Sequence, residues 1–147
     1  MNFQYQNIDE LTTKTLYQIL QLRAEVFVVE QNCVYNDLDG LDIDGIHMYL
    51  KEDGRIIAYS RLLKAGSRFP YASIGRVVVH PKFRKRDLGK KMMEEAIQYI
   101  FGNWKVNEIK VSAQKYLQRF YEELGFEIVT EEYLEDGIPH FGMIYKK

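Results

Sequence analysis

Six lysines or arginines and one aspartate lie between His80 and Lys91, directly after the β-branched run Val77-Val78-Val79 and at the head of an amphipathic segment. A helix starting there turns its free N–H groups and the positive end of its dipole toward the same place as those cations, which is the outline of a phosphate site. The stretch matches neither the Walker pattern nor G-x-G-x-x-G, so the usual nucleoside triphosphate and dinucleotide loops have no support. A solvated basic helix start is the competing reading of these residues taken alone. Among the three histidines, His47 and His80 sit at strand ends and read as structural. His140 follows Gly137-Ile138-Pro139, a turn read as bordering the acceptor cleft, and carries an imidazole, the side chain type best suited to moving a proton. Cys33 is the only cysteine, which excludes an internal disulfide and a Cys-rich zinc site; with no histidine near it in sequence it reads as structural. Asp37, Asp39, Asp42 and Asp44 suggest a calcium loop, but counting from Asp37 puts Leu41 at the fifth position and Asp42 where glycine is required. No metal is expected.

The 147 residues are one core's worth of chain, and a composition 46% hydrophobic and 14% aromatic with 3 Pro and 10 Gly excludes a disordered or collagen-like polymer. Residues 1–147 are read as one domain. The net charge of -1 gives no global field that would mark a nucleic-acid or anionic-membrane partner. The first residues lack a signal peptide's basic and apolar regions, and no apolar run reaches the length of a membrane span; with the lone cysteine this gives a cytoplasmic reading.

Helix and strand periodicities alternate along the chain. Thr12 to Val29 reads as a helix with Leu16, Ile19, Leu20 and Phe27 on one face and Asp9 or Thr12 as its cap. Asn36 to Gly45, dense in Asp and Gly, reads as loop, and His47 to Lys51 and Arg55 to Leu63 flank the hairpin turn Asp53-Gly54. Ser73 to His80 is a buried strand stopped by Pro81. Leu88 to Phe101 is a helix whose stripe of Leu88, Met92, Met93, Ala96, Ile97 and Ile100 lies on the sheet. Ile109, Val111 and Ala113 alternate as a strand, Tyr116 to Leu124 is a short helix ended by Gly125, and Phe126 to Tyr133 with His140 to Tyr145 forms a closing hairpin. The order β, α, β, β, β, α, β, α, β, β predicts an α/β fold, a mixed sheet with helices on its faces.

The junction Val79-His80-Pro81 through Arg84-Lys85-Arg86-Asp87-Leu88-Gly89 resembles the V-x-P and [RQ]-x-x-G-x-[GA] signature of the GNAT acetyl-CoA-dependent N-acetyltransferases. Ala113-Gln114 leading to Phe120-Tyr121-Glu122-Glu123-Leu124-Gly125-Phe126 resembles that family's F-Y-x-x-x-G-F ending. The segments Leu22-Arg23 to Glu30-Gln31, Asp37 to Gly40 and Glu135 to His140 are most similar to the family's ElaA-like branch. The resemblance implies the GNAT acyl-CoA N-acyltransferase fold, a mostly antiparallel sheet in which two parallel strands splay. It implies that pantetheine lies in that gap, with Val77, Val78 and Val79 offering main-chain groups to it and Gln114 orienting the strand end or a pantetheine amide. Arg84, Lys85, Arg86, Asp87, Leu88, Gly89 and Lys90 would hold the pyrophosphate, chiefly through main-chain N–H groups, with the side chains of Arg84, Arg86 and Lys90 neutralising charge. Asp87 stands where the first glycine is usual, which argues against a left-handed turn there and puts a carboxylate near the pyrophosphate.

Acetyl-CoA is thus the implied cosubstrate, and the implied reaction is direct attack by an amine with Tyr121 protonating the departing thiolate. No carboxylate lies between Ile74 and His80, so the strand glutamate that serves some family members as base is absent here. His140 is the leading candidate for catalysis or substrate contact, ahead of Glu30 and Glu25. Two acidic stretches, Glu30 to Asp53 at net -6 and Glu122 to Asp136 at net -7, would steer a cationic amine, with ordinary solvated loops as the plain alternative. The expected partner is a small-molecule or peptide amine, and a homodimer is compatible with the sequence. The competing functions are a non-catalytic acetyl-CoA-sensing module and an acyl-homoserine-lactone synthase, which Arg23-Ala24-Glu25-Val26-Phe27 faintly resembles.

Overall fold

The computed structural model describes residues 2–147. A short strand β1 (Gln4–Gln6) leads into helix α1 (Thr13–Arg23), where the Thr12 hydroxyl accepts the Thr15 N–H at 3.0 Å and so supplies the cap. Of the two cap candidates it is Thr12, since Asp9 lies in the turn before the helix and donates its N–H to the Asn7 side chain. The helix does not run on as α to Val29: from Ala24 to Glu30 it widens into seven residues of π-helix. Such widening adds a residue to the turn and is frequent at functional sites.

Strands β2 (Ile46–Glu52) and β3 (Arg55–Leu63) form the expected hairpin, with Asp53 at φ 52° and Gly54 at φ 74°, the two left-handed residues of a type I′ turn. Strand β4 (Ala72–Val79) pairs antiparallel with β3, and a 3₁₀ turn (Pro81–Arg86) connects it to helix α2 (Leu88–Asn103). The six apolar residues read as a stripe are the buried face of α2. The helix passes through Gly102 and Asn103, two residues beyond its predicted end. Strand β5 (Glu108–Gln114) and helix α3 (Gln118–Leu124) follow, and Gly125 at φ 110° ends α3 against the Tyr145 ring, which a Cβ there would approach to 2.9 Å.

The closing hairpin differs from the reading. Its first strand is two pieces, β6 (Glu127–Ile128) and β7 (Tyr133–Glu135), both lying on the same edge of β8 (Ile138–Lys146). Between them the Thr130 hydroxyl accepts the Gly142 N–H at 2.8 Å, taking the place of a ladder carbonyl and breaking the strand. The turn is Asp136-Gly137, both at positive φ, so Ile138 and Pro139 belong to β8 rather than to a Gly-Ile-Pro turn before His140.

The sheet runs β1-β2-β3-β4-β5-β8-β6, with β7 on β8. Side chains alternate between its faces: Tyr49, Ile56, Tyr59 and Val78 pack with Ile19, Leu22 and Val26 of the first helical segment, while Met48, Leu62 and Ile74 pack with Met92, Met93 and Ile100 of α2 and with Tyr121 of α3. Two irregularities shape the middle of the sheet. β4 and β5 pair in parallel only at Ala72–Ile109 and Ser73–Lys110 and then part. Next to that divergence, β4 fits Arg76 and Val77 opposite the single residue Ser60, a bulge that puts Arg76 at φ 49°.

Candidate active site

Where β4 and β5 part, they open a cleft of about 700 Å3 walled by Val77, Val78 and Val79 on one side and by Gln114, Phe120 and Tyr121 on the other. The π-helical segment roofs it with Phe27 and Glu30, and Gly89 and Lys90 close the end at α2. His80 donates its N–H to Ile57 O at 2.8 Å, so antiparallel alternation directs the main-chain groups of Val78 at Tyr59 on β3 and turns those of Val79 to the open side. The reading that all three valines offer amide groups is corrected for Val78: β3 uses its backbone, and its side chain is buried under α1.

The phosphate end is built by local chain geometry. The His80 ring accepts the Lys82 N–H at 3.2 Å and starts the 3₁₀ turn, which Asp87 ends at φ 56° and ψ 23°. The left-handed turn is present despite the missing glycine, because a short side chain with its own polar group is among the few that tolerate that region. Lys91 N–H makes the first helical bond, to Asp87 O at 3.1 Å, and no side chain caps α2. The N–H groups of Leu88, Gly89 and Lys90 therefore point out of the helix, an anion site of three donors and a 16-residue dipole. A Cβ at Gly89 would come no closer than 3.6 Å to another side chain, so packing within the protein does not demand glycine there. Leu88 contributes only its backbone, its side chain being fully buried in the core.

The cations behave less simply. Arg84 holds Glu30 with both terminal nitrogens at 2.6 and 2.8 Å and donates Nε to Val79 O at 3.1 Å. Those bonds keep the Glu30 carboxyl below its ordinary range. Arg86 grips Glu52 at 3.1 and 3.2 Å, stands over the Phe83 ring and does not line the cleft. The expectation that Arg84 and Arg86 are free to neutralise a pyrophosphate is therefore corrected: each faces a carboxylate of this chain. Lys90 lines the cleft, and the side chain of Lys85 lies outside the described residues.

A smaller pocket, about 100 Å3, adjoins the cleft through shared walls at Phe27, Gln31, Val77, Gln114 and Tyr121. Gln114 donates to Gln31 at 3.3 Å across that junction. Tyr121 is 6% exposed and stands edge-on to Phe120 and Phe126. Burial pushes its phenol well above the ordinary tyrosine range, so it is a protonated donor at any working pH. Among the described residues its hydroxyl has no hydrogen-bond partner. His140 opens onto the smaller pocket, its ring stacked on Tyr133 and its Nδ1 within 2.6 Å of Ile138 O. Sequence reading missed what surrounds it: Glu135 Oε2 lies 3.5 Å from His140 Nε2, and Arg68 and Ser112 reach Glu135 Oε1 at 2.6 and 3.2 Å. Cys33 is half-buried and lines the same pocket rather than the core, with Sγ 3.5 Å from Asp136 O.

The acetyltransferase (GNAT) domain family matches residues 11–147 of this chain. This chain belongs to the GNAT acetyltransferase family. It is similar to protein ElaA of Escherichia coli, 41% identical over 91% of this chain and 89% of that one. The crystal structure of E. coli ElaA matches with a TM-score of 0.90 at 38% identity, covering 99% of this chain and 100% of the other. A crystal structure of an acyl-CoA N-acyltransferase from Pseudomonas aeruginosa matches with a TM-score of 0.90 at 44% identity over 99% of each chain. The acyl-homoserine-lactone synthase LasI, at 15% identity and a TM-score of 0.80 over 99% of this chain and 89% of its own, shares the fold alone. The ElaA-like resemblance and the GNAT acyl-CoA N-acyltransferase fold are both borne out. The family uses acyl-CoA, and the splayed strands with the bare start of α2 fit such a ligand.

In this GNAT chain the first acidic stretch is not a steering surface. Arg23, fully buried, bonds Asp37 at 2.9 Å and Asp42 at 2.7 Å; Arg61 bonds Asp39 at 2.8 Å and Asp42 at 3.1 Å; Arg76 contacts Asp37 at 2.8 Å. His47 fits beneath, Nε2 donating to Asp42 O and Nδ1 accepting from Tyr59, a structural role as read. The network ties loop 36–45 to α1 and β3 and anchors the bulge at Arg76. With Glu30 and Glu52 also paired, that stretch retains little charge to attract a cationic amine. Among the described residues no helix is long and apolar enough to cross a membrane.

Proposed function

We propose that this chain is an N-acetyltransferase that moves an acetyl group from acetyl-CoA to a small-molecule or peptide amine by direct attack within a ternary complex. The observation that carries the reading is the meeting of two clefts at Tyr121: one ends in an anion-ready helix start, the other holds a histidine backed by a carboxylate. Acetyl-CoA would supply a thioester carbon open to attack by a neutral amine. The N–H groups of Leu88, Gly89 and Lys90 would bind its pyrophosphate, and the main chain of Val77 with the open-side N–H of Val79 would align its pantetheine as an added strand. His140 would accept the amine's proton and Tyr121 would give one to the departing thiolate, so that the two side chains divide the acid and base work.

Calorimetric titration with acetyl-CoA, against CoA and ATP, tests the cofactor half. An affinity better than about 0.1 mM, roughly -5.5 kcal/mol, with ATP much weaker, is expected. Incubation with a panel of amines and detection of released thiol then tests transfer. Binding without transfer to any amine would make the chain a sensing module, and no binding at ~1 mM would overturn the reading altogether.

A further inference from the structure

We infer that Glu135 is a positioning residue that, through His140, completes the proton acceptor for the incoming amine. The inference rests on the N-acetyltransferase reading and deepens it at the acceptor pocket. An aliphatic amine arrives as ammonium near neutral pH and cannot attack a thioester until its nitrogen gives up a proton. β4, where some family members place a glutamate for this purpose, carries none between Ile74 and His80. The smaller pocket supplies the substitute from the other side of the cleft, on β7 and β8.

Three contacts fix the geometry. Nδ1 of His140 lies 2.6 Å from Ile138 O, a carbonyl that can only accept, so Nδ1 carries the hydrogen and Nε2 keeps its lone pair in the neutral ring. Stacking on Tyr133 at 18° between planes holds the ring's orientation. Glu135 is held by its other contacts: Oε1 accepts from Arg68 at 2.6 Å and from Ser112 at 3.2 Å, which leaves Oε2 3.5 Å from His140 Nε2. That distance is too long for a hydrogen bond and places a negative charge beside the atom that receives the proton. When Nε2 takes the proton from the ammonium, the negative charge of Glu135 beside it stabilises the imidazolium that forms. No bond other than N–H is made or broken; the proton passes from substrate nitrogen to Nε2.

The hairpin turn explains why these residues meet. Asp136-Gly137 sets Glu135 opposite Ile138 and Tyr133 opposite His140, so Glu135 and Tyr133 lie on the strand face shared with His140. β5 lies along the other edge of β8, setting Ser112 opposite Gly142 and Gln114 opposite His140. The remaining charged and titratable groups of the pocket are Asp136 on the turn, Arg76 on β4, Tyr121 on α3, and Cys33 and Tyr35 on the preceding loop. Arg76 faces Asp37 and Asp39, and the Tyr35 hydroxyl bonds Asp37, so neither is free to take over from Glu135.

The test begins on the free protein, without cofactor or acceptor. Titration of the His140 ring by NMR is expected to differ between wild type and Glu135→Gln, the ring without the neighbouring carboxylate taking up its proton less readily, with Glu135→Asp close to wild type. With the best aliphatic amine of the panel, the acidic limb of the kcat/KM profile is expected to move by the same amount in Glu135→Gln. Acetyl-CoA affinity should stay within about twofold, because Glu135 does not line the larger cleft. A ring titration identical in wild type and Glu135→Gln overturns the inference, as does a shifted ring whose rate profile stays in place. Failure of wild type to acetylate any amine would instead overturn the underlying N-acetyltransferase reading, and the inference with it.

Discussion

Replacing Tyr121 with phenylalanine removes one oxygen from a ring that is otherwise core, set edge-on between Phe120 and Phe126. Because that oxygen has no protein partner among the described residues, Tyr121→Phe is expected to leave stability within about 0.5 kcal/mol of wild type. If the phenol protonates the thiolate, kcat falls by about 100-fold while acetyl-CoA affinity is unchanged; steady-state turnover beside calorimetry measures both, and equal turnover removes Tyr121 from the chemistry. Asp87 presents the opposite case, a side chain that the fold accepts and the ligand would not favour. Its left-handed backbone suits glycine, and its carboxylate lines the cleft at the α2 start. Asp87→Gly removes both the conformational strain and a charge that repels pyrophosphate, while giving up a carboxylate that favours the helix dipole. Acetyl-CoA is expected to bind about threefold or more tightly in this variant, with stability moving by less than about 1 kcal/mol as the two folding effects offset. Weaker binding by calorimetry would show that the Asp87 side chain helps to hold the cofactor.

The π-helical segment brings Phe27 and Glu30 over the cleft, where Glu30 pairs with Arg84 of the lining. For Arg84 to meet a phosphate it must leave Glu30, so the pair competes with the ligand. Both side chains are 42% exposed, and exposed pairs are worth at most about 1 kcal/mol, so Glu30→Gln is expected to tighten acetyl-CoA binding by up to about fivefold. The gain should shrink in high salt, and an unchanged dissociation constant across ionic strengths would mark the pair as structural. Elements of this kind divide sharply by how local their cause is. α2 and the Asp53-Gly54 hairpin were legible because one stripe or one dipeptide determines them. The π-helix was not: its seven residues read as helix of either kind, and the choice depends on contacts formed after folding. The split between β6 and β7 escaped for a similar reason, since it depends on a hydroxyl of Thr130 meeting Gly142, twelve residues away. Asp136-Gly137 was the missed local signal. Taken as a type I′ turn, it sets Tyr133 and His140 opposite each other and brings Glu135 into view.

At the scale of the whole molecule, three arginines from α1, β3 and β4 share Asp37, Asp39 and Asp42 of one loop, and charge opposite charge decides how stability responds to acid. The loop itself was legible from its Asp and Gly content, but not its partners, because Arg23, Arg61 and Arg76 are distant in sequence and converge only when the sheet is built. Burial pushes the Asp39 carboxyl up, yet the hydrogen bonds from Arg61 and the Leu41 N–H, with the charges of Arg61 and Arg76, outweigh it and bring the group down to about 2. Asp42 moves in the same direction, with burial again opposing and Arg23 and Arg61 prevailing. The unfolded chain therefore protonates these carboxylates first, so the stability they contribute is complete above about pH 4 and is lost as pH falls toward 2. His47 adds an earlier step. Burial above all pushes its ring below the ordinary value, since the neutral ring is already matched at 2.7 Å to Tyr59 and at 2.9 Å to Asp42 O. Below about pH 6.5 the unfolded histidine gains a proton that the folded one resists, and stability falls in that window as well. His80, also pushed down by burial but more exposed, contributes weakly in the same direction. Thermal melts from pH 8 to pH 3 are thus expected to show two descents in Tm, one starting near 6.5 and a steeper one below 4. His47→Gln should lower Tm at pH 8 by loosening the network, yet flatten the curve between pH 7 and 5. If wild type and His47→Gln slope equally across that interval, the first descent belongs to another group and the buried ring is not what couples this fold to mild acid.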